Sequence, residues 1–258
     1  MIVDVATFVG TYPYRHVPRT SPESLLGEMD RIGIEEAWVG HLPSFLYKDP
    51  APGSGELLEA LELGDGRMRP TPTVNPGLPD WRRDLDIAAG AKAPAVRVYP
   101  MHQQLDPVGA SVRELVVAAA RVRLAVLLTV RFEDVRQRHP LDAVADFPPS
   151  AVRALARLDD DVRILVTHAG RAFIEEVHFG LTPEEARRVL WDVSWLWGPP
   201  ENELSTLVNT LGEDRFAFGT GMPLRIPDAI PAKLDLAGFS QEVRAAIEHE
   251  NVSRWLQW

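Results

Sequence analysis

The chain has 258 residues, 27 lysines plus arginines against 37 aspartates plus glutamates, and a formal net charge of −10. That balance argues against broad binding to nucleic acid or an anionic membrane, both of which need a basic field. A composition of 45% hydrophobic and 25% charged residues belongs to an ordinary globular protein, and the absence of cysteine removes disulfides, thiolate metal sites, iron–sulfur clusters and any cysteine nucleophile.

The first residues, Met1 to Ala6, carry no basic segment followed by an apolar one. The longest apolar runs, Leu115–Ala120 and Leu124–Val130, are separated by Arg121 and Arg123 and are far shorter than the roughly 20 residues a bilayer demands. A cytoplasmic protein without a membrane segment is expected. Eight runs rich in β-branched residues follow one another: Ile2–Val9, Glu36–Val39, Met68–Val74, Ala95–Tyr99, Leu124–Val130, Val162–Thr167, Val189–Ser194 and Arg215–Thr220. Helical patterns lie between them. Ser21 caps the first, Pro22 opens it and Gly33 closes it; the others cover Gly55–Leu63, Asp80–Ala89, Gly109–Arg121, Pro149–Leu158, Pro183–Arg188, Glu201–Leu211 and Gln241–Trp255. Strand and helix alternating at a period of roughly 30 residues predict an α/β fold, a (β/α)8 TIM barrel occupying residues 1–258 as a single domain. No glycine-rich dinucleotide fingerprint follows the first strand, and the Pro/Gly-rich stretch Lys48–Gly55 reads as a βα loop.

Five segments taken in order resemble the amidohydrolase-related metal-dependent barrels, in the branch that includes aminocarboxymuconate-semialdehyde decarboxylase. They are Ile2–Gly10, Ile164–Gly170, Trp191–Ser194, Asp214–Pro223 and Glu250–Leu256. The resemblance implies an amidohydrolase-like barrel with a His-x-His pair on the first strand, a histidine ending the fifth and an aspartate ending the eighth. This chain has Ala6 and Phe8, Thr129 and Gly221 at those positions. Alanine, phenylalanine and glycine have no lone pair to donate, and a threonine hydroxyl is a poor ligand for zinc, manganese or iron. The expectation is a divergent member with no metal site and no cofactor, with Phe8 filling part of the volume a cation would take.

Chemistry in such barrels sits at the C-terminal strand ends. His168 keeps the place of a family histidine and is the expected acid or base, with Asp192 as its catalytic companion. The expected substrate-binding set is Tyr12, Arg15, His41, Arg97, Tyr99, Thr129, Arg131, Ser194 and Trp195. Strand parity puts Arg97 with Tyr99 on one face and Arg131 with Thr129 on another. Five arginines, Arg15, Arg97, Arg131, Arg171 and Arg225, gather at these ends in an acidic protein, with Arg171 and Arg225 the less favoured. Guanidinium pairs bidentately with carboxylate, so a small carboxylated molecule is the expected partner, although arginines at loop ends also simply bridge to acidic neighbours.

Three other arrangements carry less weight. A Ser194, His168, Asp4 triad lacks a nucleophile elbow, and Asp4 is better placed to support neighbouring strands. His16, His41 and His102 lack ligand spacing for a replacement metal site. The tryptophans at 191, 195, 197, 255 and 258 read as core or subunit contacts, with Trp195 or Trp197 as a pocket wall and the C-terminal pair pointing to a homodimer. Two functions follow: a metal-independent hydrolase of esters or lactones, or a lyase, working on a small carboxylate through His168; or a catalytically inactive pseudoenzyme that binds a metabolite or partner protein.

Overall fold

In a computed structural model, which describes residues 1–64 and 66–257, eight parallel strands occupy the β-branched runs. They are β1 Val3–Val9, β2 Glu36–His41, β3 Met68–Pro70, β4 Ala95–Val98, β5 Ala125–Thr129, β6 Ile164–Thr167, β7 Val189–Asp192 and β8 Phe216–Ala217. Strands β1 to β3 pair in order, as do β4 to β8. Two seams close the ring. Between β3 and β4, Arg97 N donates to the Pro72 carbonyl and Val74 N to the Arg97 carbonyl, each at 2.8 Å. Between β8 and β1, Val5 N donates to Phe218 O at 3.0 Å, Gly221 N to Ala6 O at 2.8 Å and Phe8 N to Met222 O at 2.9 Å. The result is the (β/α)8 barrel that the strand–helix period implies.

Alternate strand residues sort into two layers. Val96, Val126, Leu128 and Val166 pack outward against helical side chains such as Leu25, Leu115 and Leu155. Val5, Ala95, Leu127, Leu165, Leu190 and Ala217 fill the barrel axis, with Val252 and Trp255 packed against them. In β1, Asp4 pairs with Ala37 but Thr7 with Val39, so β1 holds one extra residue. Such a bulge reverses parity, which transfers the inward position from Val3 and Val5 to Phe8 in the mouth cluster.

The β8–β1 seam also has a side-chain stitch. Fully buried Asp4 accepts from the Ala6 N–H at 3.0 Å, the Thr220 N–H at 3.1 Å and the Thr220 hydroxyl at 2.6 Å. Burial raises its pKa to about 6, and these hydrogen bonds limit the rise.

The helices follow the expected order with instructive differences. Helix α1, Pro22–Ile32, begins with the Ser21 side chain accepting from Ser24 N and ends at Gly33 with φ 83°. Helix α2, Ala51–Leu61, starts inside the stretch expected as a loop, because its proline stands in the first turn, where an N–H has no intrahelical partner. Helices α3 Trp81–Gly90, α4 Ala110–Arg121 and α5 Pro149–Ala156 match their sequence patterns. The sequence pattern omitted α6, Arg171–His178, and α9, Ala229–Leu236; α7 Pro183–Ala186 and α8 Glu203–Leu211 lie between them. The expected final helix is divided into α10 Gln241–Ala245, a π-helical turn at Ala246–Glu250 and α11 Asn251–Trp255. Within that turn the Ile247 carbonyl accepts from Phe218 N at 2.8 Å, tying the C-terminal segment to the end of β8. No described helix is long and apolar enough to cross a membrane.

Replacing Thr220 with valine deletes the hydroxyl that donates to Asp4 and accepts from Met222 N. A buried carboxylate short of a donor is expected to cost about 2 kcal/mol. Urea denaturation is expected to show a lower midpoint with an unchanged slope.

Candidate functional site

Of the four positions where the family resemblance implies metal ligands, Ala6, Phe8, Thr129 and Gly221, one holds an aromatic ring, and a guanidinium from β4 lies over it. Phe8 is buried at the end of β1, and the Arg97 guanidinium lies 4.2 Å from its ring centroid. Arg97 is wholly buried. Its Nε donates to Thr71 Oγ1 at 2.8 Å and its Nη2 to the Thr7 carbonyl at 3.4 Å, while Nη1 has no hydrogen-bond partner within normal distance and angle among the described residues. Burial lowers its pKa, opposed by Tyr99, Asp192 and Asp4. The arginine fits because residue 40 is glycine: a Cβ there would stand 2.5 Å from Arg97 Nε.

Above this pair, aromatic side chains close the side of the mouth formed by β1, β2, β4 and β5. Phe45 and Phe132 approach to 4.3 Å between centroids, Tyr99 lies 5.5 Å from Phe132 and Phe8 6.0 Å from it. Tyr12 belongs to the same buried cluster. Burial raises the pKa of both Tyr12 and Tyr99. Thr129 Oγ1 lies 3.0 Å from Thr167 Oγ1. His41 faces Ser44 at 2.8 Å and Glu56 at 3.3 Å, and burial lowers its pKa.

The β6 to β8 side has different chemistry. His168 is fully buried and has φ 60°, a left-handed conformation uncommon outside glycine and asparagine. Its N–H donates to Asp192 Oδ1 at 2.8 Å, and Asp192 Oδ2 accepts from Ser194 N at 3.3 Å. Asp192 faces the barrel axis, in parity with inward Leu190, whereas Trp191 faces the helices. Burial raises the Asp192 pKa to about 6. His168 Nδ1 lies 2.8 Å from the Arg131 carbonyl. A carbonyl can only accept, so Nδ1 bears the proton and Nε2 retains a lone pair, which has no partner. Burial and the Arg225 charge push the His168 pKa down to about 3.

Space beside Nε2 is closed. A Cβ on Gly221, whose φ is 72°, would stand 3.2 Å from both His168 Nε2 and the Arg225 stem. The Ser194–His168–Asp4 triad does not assemble, because Asp4 is held by Thr220 and Ala6 while the imidazole faces a carbonyl.

The arginines divide by partner. Arg15 pairs with Glu133 at 2.5 Å and donates to the Leu224 carbonyl at 3.1 Å; Arg131 pairs with Asp146 at 2.9 Å; Arg171 pairs with Glu175 one helical turn on. Arg225 instead stacks on Trp195 at 3.7 Å, and no carboxylate among the described residues forms an ion pair with it. Burial lowers its pKa to about 10, still well above neutrality. It lines a pocket of ≈ 280 Å³ together with Ser194, Thr220, Gln137 and Glu133. Lys233 supports this side by donating to the Val193 and Leu196 carbonyls at 3.0 and 2.7 Å, which steadies the turn that carries Ser194 and Trp195.

Arg225, one of the less favoured arginines in the sequence, differs from the others in having no ion-paired carboxylate among the described residues, a feature that arises only when loops distant in sequence meet. Trp195 is buried as a wall of this side, Trp197 is exposed and Trp258 lies outside the described residues.

The site is therefore that of a (β/α)8 barrel whose mouth lacks a chelating set. A divalent ion does not fit these residues: Ala6, Phe8 and Gly221 offer no ligand atom, and Arg97 already brings a positive charge to the same place. Among the described residues no group of three or more His, Cys, Asp or Glu side chains converges as a cation requires, and His16, His41 and His102 form no such group. A family model described as Amidohydrolase matches residues 57–258, and the chain belongs to the amidohydrolase family. Similar solved structures include 5-carboxyvanillate decarboxylase from Novosphingobium aromaticivorans, complexed with manganese and 4-hydroxy-3-methoxy-5-nitrobenzoic acid, at 14% identity and TM-score 0.75, covering 100% of this chain and 96% of that one. A probable 2-pyrone-4,6-dicarboxylic acid hydrolase from Acinetobacter baumannii, with citric acid bound, gives 12%, 0.70, 100% and 99%. The 2,6-dihydroxybenzoate decarboxylase from Rhizobium gives 14%, 0.68, 99% and 99%. At these identities the likeness establishes the fold. No curated protein matches the chain.

The pKa shifts generate a test with opposing signs. Between pH 3 and 6.5 the unfolded chain binds a proton at His168 that the folded chain refuses, so this group makes stability rise with pH. Asp4 and Asp192 keep protons up to about pH 6 only when folded, so they make stability fall over pH 4 to 6. Substituting His168 with asparagine, which tolerates φ 60°, is expected to uncover the falling trend. The difference between wild type and variant should change by up to about 1.4 kcal/mol per pH unit between pH 3.5 and 6 and level off above pH 7. Denaturation curves across pH measure it.

Proposed function

We propose that this amidohydrolase-family barrel binds a small organic carboxylate at the β6 to β8 side of its mouth, without a divalent ion and without hydrolytic turnover. The observation that carries the reading is Arg225, a charged, half-buried guanidinium held over the Trp195 ring inside a pocket and lacking an anionic partner among the described residues. Removing a guanidinium from water without a partner is costly, and a ligand carboxylate offsets that cost through paired charge-assisted hydrogen bonds. Arg131, 5.4 Å from the same indole, adds positive potential. Citric acid and a substituted nitrobenzoic acid in the two similar barrels support carboxylates as the ligand class.

Loss of turnover follows from the state of the acid–base groups. An imidazole whose pKa is about 3 is a weak base at neutral pH, and its free nitrogen is sealed beneath Gly221 and Arg225. Asp192 is committed to backbone N–H groups and acts as a positioning residue for His168. One observation favours a second reading, metal-independent hydrolysis of an ester or lactone: the Nε2 lone pair lies in the field of the Arg225, Arg97 and Arg131 guanidiniums, which would stabilise an oxyanion and, with it, a protonated imidazole.

Titration with benzoate is expected to raise the thermal midpoint of the protein, and Arg225→Met is expected to weaken binding at least tenfold while leaving the unliganded midpoint nearly unchanged. Aryl acetate and lactone hydrolysis should stay at the buffer rate. Turnover that disappears in His168→Asn would contradict the binding reading and favour the hydrolase.

A further inference from the structure

Next to the Arg225 pocket is a second chamber of ≈ 240 Å³, between α1 and the turn after β8. Its walls are largely apolar, formed by Phe8, Pro18, Leu25, Met222 and Pro227. The two spaces adjoin along Arg15, Leu224, Arg225 and Ile226, which line both.

We propose that the ligand is an amphipathic monocarboxylate, its carboxylate on Arg225 and a ring or short acyl chain in this apolar chamber. The inference rests on the reading of the mouth as a carboxylate site and specifies the rest of the molecule. One carboxylate is required because, among the described residues, one pocket-lining guanidinium has no ion-pair partner. Arg15 is paired with Glu133, Arg19 with Glu28 and Arg131 with Asp146, while Arg97 is wholly buried. A second carboxylate would meet Glu133, which lines the polar pocket and is 5% exposed. An apolar part is required because the neighbouring walls gain from being removed from water, and a chamber of this size accepts a single ring. The charges at its rim are mutually satisfied: Glu28 pairs with Arg19 and Arg31, and Asp228 with Arg31, so they do not call for a polar tail.

Calorimetric titration of the full chain with 3-phenylpropanoate, acetate and citrate at one pH and ionic strength tests the proposal. Binding of 3-phenylpropanoate is expected to be at least tenfold tighter than that of the other two, and Arg225→Met should weaken it at least tenfold. Leu25→Phe, which fills the chamber, should erase most of the preference without changing acetate binding. If that variant fails to fold, Ile226→Gln alters an exposed wall of the same chamber and should reduce the preference severalfold. Equal or tighter binding of acetate or citrate overturns the amphipathic ligand while the carboxylate reading stands. If none of the three binds, or if binding is indifferent to Arg225→Met, the carboxylate reading fails and this inference fails with it.

Discussion

The stacking of the Arg97 guanidinium on the Phe8 ring determines what the rest of the barrel mouth can be. It places a fixed positive charge and a filled volume at Phe8, one of the two β1 positions where the family resemblance implies histidines. A buried cation is tolerated only with compensating groups. Here Thr71 and the Thr7 carbonyl accept its hydrogen bonds, the Phe8 face accepts part of its charge, and Asp4 and Asp192 contribute negative potential from the neighbouring seam and strand. The same two carboxylates hold the backbone in place: Asp4 joins β8 to β1, and Asp192 fixes the left-handed turn at His168.

This arrangement divides the mouth. On the side of β1, β2, β4 and β5, Phe8, Phe45, Tyr99 and Phe132 form a buried aromatic layer. On the β6 to β8 side the groups are polar but restrained. His168 is neutral with its proton on Nδ1, Lys233 braces a turn, and Arg225 keeps its charge with no ion-paired carboxylate among the described residues. Acid–base chemistry requires a free group that changes protonation near neutral pH. Asp192 and Lys233, which burial moves to about 6 and about 8, are committed to backbone groups. The proposed anion binding requires instead a fixed cation in a pocket, which Arg225 supplies.

Much of the fold could be read from local pattern. Runs such as Val162–Thr167 and the Ser21, Pro22 and Gly33 signals around α1 lie close to the observed boundaries. Helix α6 escaped notice because it spans only two turns and begins directly after the β6 motif; α9 did so because it contains Pro231 and has a weakly amphipathic face. At the site, the replacements Ala6, Phe8, Thr129 and Gly221 were visible as departures from a motif, and strand parity correctly joined Arg97 with Tyr99. What pattern could not show was tertiary. The bulge in β1, the space that Gly40 leaves for Arg97, and the meeting of Phe45 with Phe132 across 87 residues all depend on closure of the ring. So does the isolation of Arg225, since Glu133 and Asp146 had to be seen reaching Arg15 and Arg131 instead.

The central claim is that the mouth holds a guanidinium and an aromatic ring in place of a chelating set. Metal content after equilibration of the purified chain with zinc and with manganese, followed by mild chelation, addresses it most directly. The account predicts well under one tenth of an ion per chain. Retention of about one ion per chain that resists the chelator and is lost in His168→Asn would contradict it.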